Sequence, residues 1–354
     1  MKISTKQLRS IILKEIHEIK NPSLSSILFE GDDEKYSLGD EEQTAAAVSK
    51  AAQSGPAEVR DLVDNTDDPE LLKKVLQGDY DEKKDDDVVE IDGASSVSVG
   101  SLIPTQKEID MMQSVGWPLS DIGTLEKMIS SKTSTAPGSI SVSGGEVIDG
   151  HHRWSGIWAI SEKEGNVSAQ EIDLPGSNTS EKLAGAQLAI AAYKDPNLPQ
   201  PSKSDPFTTN IMGKSAEEIA KMIKDNKGKQ TDEDAPGAVL NDQFLKDVAE
   251  SETAAEWAGF SVGDSEEVII DAIAKKVGAN LSTLPANKSA PDRADMPQFD
   301  HESMGNKKKV KSDIYAGLQS GKFNVDEPIQ PESVQSKADQ IISERWQKLA
   351  GLIK

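Results

Sequence analysis

Two of the chain's four histidines stand side by side, inside the run Asp149-Gly150-His151-His152-Arg153-Trp154. Each residue type there has a use at an anion. The guanidinium of Arg153 is a planar fork that matches phosphate oxygens. An imidazole donates to a phosphate or moves a proton near neutral pH. Gly150 lets the backbone turn tightly and come close to a ligand. Asp149 reads either as a helix cap or as a base that orients an imidazole. The pattern before the run is a strand, Glu146 to Ile148, and the pattern after it is a helix from about His151 to Lys163. The first turn of a helix carries unpaired N–H groups and the positive end of the dipole, a ready anion site. Gly150, His151, His152 and Arg153 are therefore read as phosphate-binding residues. Asp149 and His152, with Glu108, are the candidate catalytic groups.

The elements around the run alternate. Val88 to Ile91 and Val97 to Val99 read as strands, and Thr105 opens a helix to about Val115. A second helix covers about Thr124 to Ser130. Ser139 to Val142 and Glu146 to Ile148 form a hairpin across Ser143-Gly144-Gly145, because paired glycines suit a tight primed turn. Val167 to Leu174 is a further strand. Residues 31–87 read as an acidic linker with three short helices at 41–78, in which Pro56 and Pro69 take first-turn positions and Asp68 caps the third. Helices are predicted at 180–193, 215–226, 241–250, 264–277, 310–320 and 334–352, with Asp264 capping the fourth and Gly278 ending it. The implied class is α+β: a mixed sheet domain at 88–174, flanked by helical regions at 175–306 and 307–354.

Residues 147–156 resemble the signature of ParB/sulfiredoxin-like domains, which place Asp-Gly-x-His-Arg or Gly-x-His-Arg at a strand-to-helix junction. Three more blocks match in order. Ser101 to Ile109 is similar to the family's strand, Ile-Pro and short helix. Ser139 to Val142 is similar to its Pro-Ile-x-Val strand, and Val167 to Ile172 to the strand that follows. The resemblance implies a nucleotide pocket for a nucleoside triphosphate or diphosphate with Mg²⁺, because carboxylates need a cation to approach a phosphate. It places Glu108 on a facing helix; Gln106 is a secondary candidate, and so is Arg293, from a polar loop at 290–301 that could fold back over the pocket. Sulfiredoxin chemistry needs a cysteine in the loop. Position 151 is His and the chain has no Cys, which excludes that activity.

Residues 1–30 have another character. Leu8, Ile11, Ile12, Ile16 and Ile19 form one apolar helical stripe, with Lys2, Lys6, Arg9, Lys14 and Lys20 against Glu15, Glu18 and Glu30. This layout resembles the capsid-targeting peptides of T-even-like tailed phages, which end at a prohead-protease site. Leu28-Phe29-Glu30 before Gly31 fits such a site, with cleavage after Glu30. The plain alternative is an N-terminal docking helix. The resemblance implies a phage head protein, located in the virion or the host cytoplasm and assembled with other head proteins, itself included.

Bulk composition bounds these readings. The net charge is −22, which disfavours nonspecific binding to DNA. Hydrophobic residues make up 36% and aromatics 4%, so much of the length is expected to be helical with a thin core, or disordered until bound. No apolar run approaches the roughly 18 residues of a membrane span, and the N-terminal pattern lacks the apolar centre of a signal peptide. Several residues have simple alternatives. Glu108 lies three after Thr105, the spacing of a capping box. Trp154 and Trp158 share a helical face and read as core. The basic run Lys307 to Lys311 reads as a solvated helix start, and 290–301 as a linker or a flap over the pocket. Three functions compete: a nucleotide-binding protein with hydrolysis or phosphoryl transfer, a non-catalytic assembly component built on the same domain, and a nuclease.

Overall fold

Five short strands pair into one mixed sheet: β1 (Ser95–Ser98), β2 (Ile103–Pro104), β3 (Ile140–Ser143), β4 (Glu146–Asp149) and β5 (Asn166–Glu171), in the order β1-β5-β3-β4-β2. The computed structural model describes residues 39–77, 88–135, 138–174, 176–193, 206–230, 237–297 and 307–320. β3 and β4 form the predicted hairpin, and Gly144 and Gly145 both have positive φ, as a primed turn requires. β3 runs parallel to β5, β4 parallel to β2, and β1 antiparallel to β5.

Twelve helices accompany the sheet among the described residues. They are α1 (Glu41–Ser54), α2 (Pro56–Asn65), α3 (Pro69–Gln77), α4 (Met111–Val115), α5 (Ile122–Ser131) and α6 (His151–Ser161). Then follow α7 (Thr179–Tyr193), α8 (Ala216–Asp225), α9 (Asp242–Ala249), α10 (Glu252–Ala258), α11 (Glu266–Leu281) and α12 (Lys307–Gln319). The class is α+β. Among the described residues no helix is long and apolar enough to cross a membrane.

Strand periodicity sorts side chains to two faces. Ile140, Val142, Val147, Val167 and Ala169 face one core, with apolar residues of α4, α5, α6, α8, α9 and α11. Ile148 and Ile172 face a second core, with residues of α1, α2, α3, α7 and α12. The sheet is thus a shared wall between two helical layers.

Several expected elements differ from the structure. Thr105 does not open a helix. It follows β2, which the sequence pattern did not suggest, and the helix waits until Met111, capped by Asp110. The cause is tertiary: β2 pairs with β4, which holds the chain extended up to Pro104. Val88 to Ile91 is no strand, though Ile91 makes one bridge to Ile172. Helix α10 was not predicted. Gly278 does not end α11, which continues to Leu281. It sits where the helix crosses α8, and a Cβ there would meet the Ala216 carbonyl oxygen at 2.4 Å. The proposed segments 1–30 and 334–352 lie outside the described residues.

Gly150 joins β4 to α6 at φ +97°, and a Cβ would lie 2.5 Å from Ile140 Cγ2. Gly213 also has positive φ (+73°) but open space around its Cα. Gly150→Ala should therefore cost roughly 2–3 kcal/mol through strain and overlap, and Gly213→Ala only about 1 kcal/mol. Urea denaturation of both variants checks this. Equal losses would remove the close approach as the cause.

Candidate functional site

Helix α6 begins directly at the elbow, and no side chain caps it. Its N-cap is Gly150, not Asp149, so the capping reading of Asp149 does not hold. The reason is geometric: Asp149 is the last residue of β4, one position too early. It lines a cavity of about 110 Å³ between the sheet, α7 and α12, with Ser141, Ile148, Ile190, Ile314 and Tyr315.

His151 is buried and braces the elbow. The Thr105 backbone N–H donates to its Nε2 at 3.1 Å, and the Thr105 hydroxyl donates to the Val147 carbonyl at 2.6 Å. Accepting at Nε2 makes the ring neutral, with its proton on Nδ1. Burial pushes its pKa from 6.5 down to about 4, against the upward pull of Asp149 and of the hydrogen bond with Val147. His151 is thus a tie between β2 and α6.

His152 is less buried and also accepts, taking the Asp110 backbone N–H at 3.3 Å. Its ring meets Phe207 edge-on, with centroids 5.5 Å apart. Glu108 is not part of a capping box. Its carboxylate accepts from the Phe207 backbone N–H at 2.9 Å, while Thr105 is engaged with Val147. The Arg293 guanidinium lies 3.5 Å from the Phe207 ring centroid. Burial lowers the Arg293 pKa, and the nearby charges of Glu108 and Asp110 counteract it. Glu108, His152 and Arg293 are therefore gathered round one aromatic ring, and the loop at 290–297 does fold back onto the domain.

Arg153 follows in the first turn of α6. It is half-buried, and among the described residues its guanidinium forms no hydrogen bond or ion pair. Gln106 is buried at 7% exposure, and its amide likewise has no partner among them. Trp154 and Trp158 are core, as expected, with ring centroids 5.5 Å apart. Their indole N–H groups donate to the Val99 carbonyl and the Thr283 hydroxyl, both at 3.0 Å.

The acids expected to bring Mg²⁺ to a phosphate do not converge. Glu108 faces Phe207 and Arg293, whereas Asp149 lines the cavity beside α7 and α12. Among the described residues no group of three or more His, Asp or Glu side chains is placed to hold a metal ion. Glu30, Gly31 and His301 lie outside the described residues.

Three residues at or near the site escaped sequence reasoning, and a fourth was given the wrong role. Asp110 had a local signal, since it precedes an apolar turn as a cap does. Phe207 had only its rarity, as one of six phenylalanines. Thr105 was seen, but in the wrong role. Arg60 carries no signal in the sequence, where it stands beside Asp61 and Asp64.

The His151 shift sets a sign for acid sensitivity. The unfolded chain binds a proton near pH 6.5, whereas the folded chain resists until about pH 4. The stability from keeping His151 neutral is therefore complete above pH 6.5 and is lost as pH falls towards 4. The loss is on the order of 3 kcal/mol. Urea denaturation at pH 7 and pH 4.5 should show it in the native chain and much less of it in His151→Gln. An identical acid loss in both would assign it elsewhere.

No protein-family model, curated protein or solved structure matches the chain, so the site stands on its own residues.

Proposed function

We propose that residues 88–174 form a ParB/sulfiredoxin-like domain that binds a nucleoside di- or triphosphate at the start of α6. One observation carries this reading: the helix has no side-chain cap, and the adjacent half-buried Arg153 guanidinium has no partner among the described residues. Desolvating a cation without a counter-charge is unfavourable, so a half-buried one at the positive end of a helix favours an anion there. Gly150 contributes by letting β4 pass directly into the uncapped first turn of α6 against Ile140.

The geometry supports binding over turnover. Both imidazoles accept backbone N–H groups at Nε2, so neither holds that nitrogen free to take a proton. Glu108 is engaged by Phe207 N–H and the charge of Arg293. In this reading α6 and Arg153 neutralise phosphate charge, and none of His151, His152 and Glu108 is poised as a general base. The protein is a phage head-associated component, and its N-terminal segment directs it into the capsid before cleavage after Glu30.

Isothermal titration with ADP, ATP and CTP tests the site. Arg153→Ala removes a charge-assisted contact and should weaken binding by about ten- to a hundredfold. No binding by the native chain would leave the domain as an assembly scaffold. Separately, intact-mass measurement on protein from particles should give a chain starting at Gly31. One starting at Met1 would reject the processing.

A further inference from the structure

The loop that brings Arg293 to Phe207 is held by a residue from the opposite helical layer. Arg60 lies on α2, whose apolar residues Val59 and Leu62 belong to the second core. Only 7% of Arg60 is exposed. Its two terminal nitrogens donate to the backbone carbonyls of Ala294 and Met296, either side of Asp295. A planar fork that spans two carbonyls fixes the short turn Arg293–Asp295 in one conformation. Burial lowers the guanidinium's pKa, while Asp295 and Asp64 pull the other way. Ala290 and Met296 are buried at 2% and 8% exposure, so the segment is seated on both sides of that turn. A further tie, Lys107 to Asp292 at 2.9 Å, is exposed and contributes little.

Between these seats Arg293 reaches the Phe207 ring, and the other neighbour of that ring is His152, the second residue of α6. Arg293 therefore lies one aromatic ring away from the first turn of α6. Glu108 and Asp110 attract it there. A phosphate chain at the start of α6 would bring more negative charge to the same place.

We propose that the 290–297 segment is a strap which supplies Arg293 as a second cation to the phosphate ligand, and that Arg60 is its positioning residue. This rests on the phosphate-site reading. It makes ligand affinity depend on a residue in the N-terminal helices, on the other side of the sheet.

The test uses the full chain with Arg60→Met, Arg60→Lys, Arg293→Ala and the double variant Arg60→Met/Arg293→Ala. Methionine keeps the buried stem but loses the fork, and lysine keeps the charge but loses the second donor arm. Hydrogen exchange should speed up at residues 293–296 in both Arg60 variants, with β4 and α6 unchanged. Titration with ADP and with inorganic pyrophosphate should show about tenfold weaker binding in Arg60→Met and in Arg293→Ala, and no further loss in the double variant. Unchanged exchange at 293–296 would overturn the strap. An Arg60→Met loss that persists undiminished in the Arg293→Ala background would overturn its action through Arg293. If the native chain binds neither probe, the phosphate reading and the ligand role of Arg293 fall together, and exchange still decides whether Arg60 holds the strap.

Discussion

The absence of a side chain at Gly150 sets the distance between sheet and helix. With Ile140 pressed against its Cα, β4 passes into α6 with a single residue between them. That closeness brings His151 beneath Thr105 and sinks Trp154, Ile157 and Trp158 into the first core. A second close approach lies further along the same helix. Gly156 leaves room for the Ser114 carbonyl and the Trp117 indole, and Ser155 meets Ser114 at 2.7 Å. At the far end, the carbonyls of Ala159 and Ile160 accept from Asn280 and Trp257. Helix α6 is thus gripped along its length, while no side chain caps its first turn.

Backbone donors shape the electrostatics of that turn. Thr105 and Asp110 each spend an N–H on an imidazole, which holds both rings as acceptors there. Asp110 caps α4, and Glu108 steadies Phe207. Glu108 and Asp110 are engaged there, while the Arg153 guanidinium has no hydrogen-bond or ion-pair partner among the described residues. In a chain of net charge −22, the helix terminus and Arg153 set positive charge together at this point.

The wall-like sheet explains how distant residues meet at one place. Its two faces carry different helical layers, and polar ties join segments far apart in the chain. Lys182 on α7 pairs with Glu146 on β4 at 2.9 Å, both largely shielded, and Thr179 and Asn287 join the same carboxylate. Arg60 makes the comparable tie to the strap. These contacts lock surface segments to the layer beneath, because a shielded charge loses much stability if its partner leaves.

Much of the scaffold was legible from short-range chemistry. The Gly-Gly hairpin, the prolines opening α2 and α3, the apolar tryptophan pair and the strand-to-helix junction at Gly150 all follow from local periodicity and turn preference. Those are properties of a few consecutive residues, so sequence alone determines them. What failed was whatever depended on a remote partner. Thr105 and Glu108 have the spacing of a capping box, yet pairing of β2 with β4 keeps that stretch out of a helix and leaves both side chains to other partners. Gly278 has the identity of a helix stop, but it is where α8 and α11 cross. Asp149 has the chemistry of a cap and sits one residue short of the position. Sequence alone picked out the run Asp149 to Arg153. Only the tertiary structure decided which of its members are braced, which is left without a partner, and that Phe207, Arg293 and Arg60 belong with them, because those contacts join segments whose spacing along the chain carries no period.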